Sequence, residues 1–192
     1  MEKIVLECKN LKKSINKKKI IKDVSFDIKE GEIVGLIGSN GAGKTTTIKL
    51  LLGLQIKDEG EVLINGFSID SNFEKAVKKV GAVIETPDFY NYLSGYKNLE
   101  ISANYYKDIE KSRIMEVANI VGLKNRIYDN VSKYSLGMKQ RLDIADALIN
   151  KPNILILDEP TNRIRSRRNK GLKKIINRTI RKTKNIYFNI QP

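Results

Sequence analysis

The alternation of apolar and polar positions divides the chain into short strands, one glycine-rich turn and a long helical stretch. Ile4-Val5-Leu6-Glu7-Cys8 and Ile20 to Ile28 read as strands of a small antiparallel layer, with the Lys17-Lys18-Lys19 run between them as a solvated turn. Gly31 leads into Ile33-Val34-Gly35-Leu36-Ile37, which is apolar enough for a buried strand. Thr46-Thr47-Ile48-Lys49-Leu50-Leu51-Leu52 is expected as a helix that stops at Gly53. Glu61-Val62-Leu63-Ile64, closed by Asn65-Gly66, gives another strand and turn. Ser71 to Lys79 is expected to be helical with Ser71 as its cap, and Val80-Gly81-Ala82-Val83-Ile84 returns to a strand. From Pro87 to Asn150 the pattern is mainly helical, broken near Lys107-Asp108 and Asn125. Ile154-Leu155-Ile156-Leu157 is a short buried strand that ends in Asp158-Glu159-Pro160. There is no internal repeat.

Between the apolar strand and the helix lies Gly38-Ser39-Asn40-Gly41-Ala42-Gly43-Lys44-Thr45-Thr46, which satisfies G-x-x-x-x-G-K-[ST] at each fixed position. Glycines let successive backbone N–H groups turn inward around phosphate oxygens, where a Cβ would obstruct. The helix N-terminus behind them adds a partial positive charge. Lys44 suits the β- and γ-phosphates of a nucleotide, and the Thr45 hydroxyl suits Mg²⁺. The plainer reading is an ordinary glycine-rich turn; the complete motif in its strand–helix context favours nucleotide binding. Asp158 then sits at the C-terminal end of a strand, where open α/β sheets place ligand chemistry. It would hold Mg²⁺ through water opposite Thr45, and adjacent Glu159 could polarise an attacking water as general base. A strand ending in acidic turn residues would otherwise be unremarked. Tyr134-Ser135-Leu136-Gly137-Met138-Lys139-Gln140-Arg141-Leu142 opens a helix with Ser135 as its N-cap.

The 192 residues suit one α/β domain with a sizeable core. No stretch approaches ~20 consecutive apolar residues, and Met1-Glu2-Lys3 runs directly into a strand pattern, so neither a transmembrane span nor a signal peptide is expected. The single cysteine, Cys8, allows no internal disulfide, fits the cytosol and is expected to pack in its strand. The net charge of +14 is unevenly spread. Eleven of the 36 basic residues lie in 163–192, which has no acidic residue, leaving 25 against 22 in the first 162. A nucleic-acid reading would therefore rest on the last 30 residues alone.

The three landmarks, in this order and spacing, resemble the ATP-binding subunit of an ABC transporter from about Leu6 to Asn162. Within that family, Val80–Glu100, with Gly81-Ala82-Val83-Ile84-Glu85-Thr86-Pro87, resembles the bacitracin-resistance and lantibiotic-immunity type of exporter. The resemblance implies a P-loop α/β core with an antiparallel β layer and a helical subdomain at about 88–150, in a domain spanning 1–162. It implies ATP and Mg²⁺ as cofactors, and hydrolysis that powers export of a peptide or small amphiphile. It also implies a homodimer or paired ATPase, head to tail, with each ATP between one subunit's phosphate loop and the other's Ser135-Leu136-Gly137-Met138. An integral membrane permease would be the partner, placing the chain in the cytoplasm on the inner face of the membrane, with no specific nucleic acid. Glu85 resembles the Q-loop position, where a glutamine is usual, and would stand near Mg²⁺ as the next catalytic candidate after Glu159. Leu136 and Met138 replace the usual signature residues and suit the exporter branch. Ile15 stands where the family usually stacks an aromatic ring on adenine, so a contact of ~1–3 kcal/mol is lost and base discrimination is expected to be weak.

The resemblance breaks after Thr161-Asn162, where the family continues G-L-D-P and later ends a strand in a histidine; this chain has Arg163-Ile164-Arg165-Ser166 and no histidine. Taken as AGG ATT AGA TCC, Arg163 to Ser166 become GGA TTA GAT CC once the first base is dropped, which encodes G-L-D-P. Allowed codons continue in that frame to Pro192 as E-G-I-K-D-L-R-K-L-L-T-E-L-S-E-K-Q-K-I-S-I-L-I-S-S-H. One shift thus recovers both missing motifs, and the basic excess follows because adenine-rich codons out of frame give Lys, Arg and Asn. Residues 163–192 are accordingly read as an aberrant basic tail, ahead of a nucleic-acid-binding extension or a divergent helix. With its apolar positions interrupted, the tail is not expected to supply a central parallel strand, which would leave the fold incomplete at its C-terminus and one edge of Ile154–Leu157 exposed. Alternative readings of function are a soluble ABC-type ATPase uncoupled from any membrane, and a catalytically dead nucleotide-binding product. Resequencing the DNA around codon 163 is expected to show one base too many; an unchanged reading removes the frame-shift account.

Overall fold

A computed structural model describes residues 3–84, 89–158 and 186–191, the last group as backbone only. Strands β1 (Ile4–Ile15) and β2 (Lys18–Lys29) form a long antiparallel hairpin. Its turn is Asn16-Lys17, both at positive φ (49° and 65°), which matches the right-handed twist of the flanking strands. Only Lys17 of the lysine run therefore lies in the turn, and Lys18 and Lys19 open β2. Strand β4 (Glu59–Ile64) pairs with the other edge of β1, and Asn65-Gly66 turns the chain into β5 (Phe67–Ser68). The antiparallel layer runs β2-β1-β4-β5.

The second sheet is parallel, in the order β3-β8-β7-β6, from β3 (Ile33–Ile37), β6 (Val80–Val83), β7 (Ile154–Leu157) and β8 (Ile186–Gln191). Helix α1 (Lys44–Leu51) follows β3, and the short α2 (Phe73–Val77) precedes β6. The expected Ser71 cap is corrected: the N-cap position of α2 is Asn72, which makes no side-chain capping bond, while its Nδ2 donates to Ser71 Oγ (3.0 Å). The helical unit consists of α3 (Gly95–Asn104), α4 (Ser112–Ile120) and α5 (Leu136–Ala147), with 3₁₀ turns at Lys124–Arg126 and Val131–Lys133.

Strand β8 corrects a further expectation. The backbone of Ile186–Gln191 lies between β3 and β7, with Tyr187 opposite Ile33 and Ile186 opposite Ile154, so neither β7 edge is left open. A parallel ladder is made by backbone N–H and C=O groups, which any non-proline residue supplies. Isoleucine, tyrosine and phenylalanine also favour the extended chain, so Ile186-Tyr187-Phe188 meets the local requirement despite the polar interruptions upstream.

Two cores flank β7. Ile154 and Ile156 belong to a core built with α1 and the antiparallel layer, including Leu6, Ile28, Ile48, Leu51 and Ile64. Leu155 and Leu157 belong to the core of the helical unit, with Leu99, Ile114, Val117, Leu142 and Leu148. Helix α5 is drawn tight against β6 at Gly81, where an added Cβ would lie 2.0 Å from the Ala147 carbonyl oxygen. Nearby, Asn150 Nδ2 donates to the Val80 carbonyl (3.0 Å) and Lys79 Nζ donates to the Asn150 carbonyl (3.2 Å). Gly81→Ala is therefore expected to lower stability by about 1–3 kcal/mol in urea unfolding, the usual result of overpacking. A change inside about 0.5 kcal/mol would mean that α5 and β6 part at no cost.

Candidate functional site

The glycine-rich loop leaves the C-terminal end of β3 and enters α1. Gly43, its last residue, must be glycine for two reasons. Its φ is 89°, and a Cβ there would lie 2.7 Å from Ile21 Cδ1 and 3.1 Å from Ile20 Cγ2 of the β1–β2 hairpin. The loop is thus pressed against the antiparallel layer. Lys44 begins α1, two residues earlier than the apolar pattern suggests, and is 8% exposed. Its Nζ donates to the carbonyls of Gly38 (2.7 Å) and Ser39 (3.1 Å), so the ammonium sits inside the loop on neutral acceptors. Ala42 N–H donates to the Ser39 carbonyl (3.1 Å) and tightens the turn over Asn40 and Gly41. Helix α1 has no side-chain cap and no acidic residue in its first turn, which leaves its N-terminal N–H groups and dipole directed at the loop. Thr45 and Thr46 are half-buried, while Thr47 turns its hydroxyl back to the Gly43 carbonyl (2.9 Å) and is spent on the helix.

Asp158 follows β7 directly. Its N–H donates to the Val83 carbonyl (2.8 Å), which ties it to the end of β6, and its Oδ1 is buried without a partner among the described residues. The phosphate loop and Asp158 both leave the C-terminal ends of parallel strands with β8 between them, so their backbones are about 10 Å apart across two strand spacings. A threonine hydroxyl and a carboxylate are the hard oxygen donors that Mg²⁺ takes, together with water. The unpartnered Oδ1 fits that role. Glu85 and Glu159 lie outside the described residues. Among the described residues no cluster of three His, Cys, Asp or Glu could hold a metal unaided.

The third landmark is brought elsewhere. Ser135 caps α5 in extended conformation, its Oγ accepting from Met138 N–H (3.3 Å). Leu136 is 53% exposed, an added Cβ at Gly137 would meet nothing within 4 Å, and Met138 packs on the helical core. Lys139 Nζ donates to Asn91 Oδ1 (2.9 Å), which ties α5 to the loop before α3. Helix α5 packs on α3, α4 and β6, whereas α1 belongs to the other core, so the structure leaves Ser135–Met138 as an open helix N-terminus on a different part of the surface.

Two features escaped the sequence reading. One is the pair Ile20 and Ile21 behind the loop; a β-branched pair in a strand carries no mark of what it backs. The other is Asp146 on α5, where burial pushes the carboxyl above its ordinary value against a Ser102 hydrogen bond that lowers it. A carboxylate in the apolar phase of Ile144-Ala145-Asp146-Ala147-Leu148 was the available signal. Cys8 packs as expected: burial pushes its thiol up to about 11, and Sγ donates to the Val24 carbonyl (3.4 Å).

Comparison with known proteins gives a consistent picture. The family model "ABC transporter" matches residues 21–162. The ABC transporter ATP-binding protein YhcH of Bacillus subtilis is 52% identical over 160 residues, 83% of this chain and 52% of that protein. The bacitracin transport ATP-binding protein BcrA of Enterococcus faecalis is 42% identical, over 82% of this chain and 51% of its own length. The lantibiotic transport ATP-binding protein SrtF of Streptococcus pyogenes is 42% identical, over 82% and 67%. The chain thus spans about half the length of the first of these relatives. A solved ATP-binding subunit of an ABC transporter superposes with a TM-score of 0.83 at 30% identity, covering 97% of this chain and 79% of the other. A dimeric ATP-binding cassette bound to ADP and phosphate, 24% identical with a TM-score of 0.83, shares the fold, over 97% of this chain and 87% of that one. Lys44→Ala should abolish nucleotide binding in a titration, because it removes the one cation enclosed by the loop; unchanged affinity would sink the assignment.

Proposed function

We propose a function that starts from one fact, that the chain belongs to the ABC transporter family: it binds Mg·ATP at Gly38–Thr46 and hydrolyses it to power export of a peptide or small amphiphile. The observation that carries this reading is the phosphate loop itself, a preformed ring of backbone around the Lys44 ammonium at an uncapped helix N-terminus. Thr45 and Asp158 would hold Mg²⁺, which when bound neutralises charge on the phosphates. The chain's own groups do the rest. Lys44 orients the β- and γ-phosphates, the first turn of α1 donates N–H groups to them, and Glu159 takes the proton of the attacking water, with Glu85 second in that role.

The open N-terminus of α5 supports a dimer. The first turn of α5 holds no acidic residue, and an added Cβ at Gly137 would meet nothing within 4 Å among the described residues, so a second copy or a paired ATPase could present its phosphate loop to Ser135 Oγ, the Gly137 N–H and the helix dipole. The relatives named for bacitracin and lantibiotic transport support an exporter with an integral membrane permease as partner. No helix among the described residues is long and apolar enough to cross a membrane, so attachment to the inner face of the membrane would run through that permease. Specific nucleic-acid binding is not part of this reading, nor is a soluble ATPase uncoupled from a membrane. We propose further that 1–162 is the native domain, with its helical subdomain at about 88–150, and that 163–192 is a tail read out of frame; the family match ends at Asn162. In the shifted frame the segment that forms β8 here would carry I-S-I-L-I, a stronger strand in nearly the same register.

A second reading has its own observation. The chain has no histidine, so no imidazole can polarise the γ-phosphate, and loss of one preorganised donor typically slows turnover about 100- to 1,000-fold. The 192-residue chain is then a nucleotide-binding product with impaired hydrolysis. ATPase assays on it and on a frame-restored version should differ by that factor, and equal rates would refute the frame-shift account of its chemistry. In the restored protein, Glu159→Gln should keep ATP binding, lose turnover and accumulate an ATP-bound dimer on gel filtration. Turnover within a few-fold of the parent would move the base to Glu85.

A further inference from the structure

We infer that Asn40-Gly41, inside the glycine-rich loop, is a site of spontaneous deamidation, and that a nucleotide bound in the loop shields it. The modification follows from the residues and their surroundings; the shielding rests on Gly38–Thr46 being the phosphate site. The chain has two Asn-Gly pairs, Asn40-Gly41 and Asn65-Gly66. In such a pair the glycine nitrogen can reach the asparagine side chain, because no Cβ stands in the way. The Gly41 nitrogen gives up its proton to solvent and attacks Asn40 Cγ. A bond forms between that nitrogen and Cγ, the bond from Cγ to Nδ2 breaks, and Nδ2 takes up a proton and leaves as ammonia. Water then opens the cyclic imide. Addition at Cγ gives aspartate, and addition at the backbone carbonyl gives isoaspartate, whose main chain runs through the former side chain. Nothing is oxidised or reduced, and water is the only co-reactant.

The two pairs stand in different surroundings. Asn65 is held at both ends of its amide: Nδ2 donates to the Ala76 carbonyl (3.4 Å) and Oδ1 accepts from Asn153 Nδ2 (2.6 Å). It is half-buried and fixed between β4 and β5. Closing an imide there requires both bonds to be given up. Asn40 is exposed, and among the described residues its side chain makes no hydrogen bond. Gly41 follows at φ 80°, and an added Cβ there would meet nothing within 4 Å. The bond from Ala42 N–H to the Ser39 carbonyl (3.1 Å) closes a turn around the pair without using the Asn40 amide or the Gly41 N–H.

Electrostatics favour the same pair. Loss of the Gly41 proton leaves a negative nitrogen, which nearby positive charge stabilises. The Lys44 ammonium is bonded to the Ser39 carbonyl (3.1 Å), in the peptide unit that leads into Asn40. The uncapped N-terminus of α1 begins at Lys44 and adds its partial charge. The groups that suit the loop to phosphate thus also ready it for its own conversion. A phosphate in the loop opposes this twice: its charge offsets the ammonium and the helix end, and its oxygens engage the loop N–H groups. Either product places a carboxylate in the loop, where it repels the phosphates.

The test is to age the 192-residue chain in mildly alkaline buffer, with and without Mg·ATP, and to map its peptides by mass. Ammonia release and labelling by an isoaspartate-specific methyltransferase give independent readouts. In nucleotide-free buffer the Asn40 peptide should convert about tenfold faster than the Asn65 peptide, the factor that two ordinary hydrogen bonds supply. Mg·ATP at about ten times its Kd should slow Asn40 about tenfold, in step with the fraction of free loop, and leave Asn65 unchanged. The chain converted at Asn40, and fresh Asn40→Asp, should each bind Mg·ATP about tenfold or more weakly than the fresh parent. Asn40→Gln should lose no affinity as it ages, because its longer side chain closes the ring less readily. Equal conversion of Asn40 and Asn65 without nucleotide overturns the inference. So does an Asn40 rate that bound Mg·ATP leaves unchanged, or a converted chain that binds Mg·ATP as tightly as the fresh one. A fresh parent chain that binds no Mg·ATP refutes the phosphate site and the shielding with it, and the ratio of Asn40 to Asn65 conversion then decides the modification by itself.

Discussion

Strand β7 is apolar at every position because both of its faces are covered. Ile154 and Ile156 complete the core under α1 and the antiparallel layer, while Leu155 and Leu157 complete the core of the helical unit. All four are buried to 1% exposure or less. Burying four such side chains is worth about 6–12 kcal/mol by surface transfer, comparable with the whole net stability of a domain. The two cores share this strand, so what happens to β7 is felt in both. The same strand delivers Asp158 to the C-terminal edge of the sheet, and the Val83 carbonyl fixes the exit direction of the chain. A buried carboxylate oxygen with no partner among the described residues, such as Asp158 Oδ1, is costly to hold in place. It is tolerated here at the end of a strand whose four residues are all buried.

The phosphate loop depends on a different contact, the approach of Gly43 to Ile20 and Ile21. The antiparallel layer shapes the loop from outside, and the Lys44 side chain fills it from inside by bonding to Gly38 and Ser39. The hydrogen bonds from the Lys44 ammonium to these two carbonyls hold the loop backbone curled. Preorganisation of this kind removes ordering cost from binding. It also makes the hairpin part of the site, although no residue of the hairpin belongs to the motif.

The sequence made the local devices legible and the tertiary ones less so. Gly43, Lys44 and Thr45 follow a spacing that only a phosphate loop demands, and Ser135 precedes its helix as an N-cap should; each is decided within about four residues. The hairpin turn was misplaced across Lys17-Lys18-Lys19 because charge suggests solvent but does not fix φ; Asn16 and Lys17 take the positive values that set the turn. Ser71 is the cap the sequence predicts for α2, but the helix begins one residue later, with Asn72 at the N-cap position, a boundary shift that propensity does not resolve. Strand β8 was missed for a deeper reason. Hydrophobic pattern records what side chains bury, while a central parallel position first requires backbone hydrogen bonds, and Ile186–Gln191 meets that requirement from both sides.

The two open helix N-termini express one constraint. Helices α1 and α5 each begin without an acidic residue in the first turn, and each carries a partial positive charge at that end. Helix α1 is anchored to the antiparallel layer through Ile48, Leu50 and Leu51, and α5 to β6 and the helical unit through Leu142, Ile144 and Ala147. With β7 packed between the cores, neither helix can swing to the other's anion without breaking a core. Two positive ends held apart in one chain cannot share a single phosphate group. If one phosphate is to meet both, the second end must come from another molecule, and the rigidity of β7 is then what sets the geometry at which two such chains would have to meet.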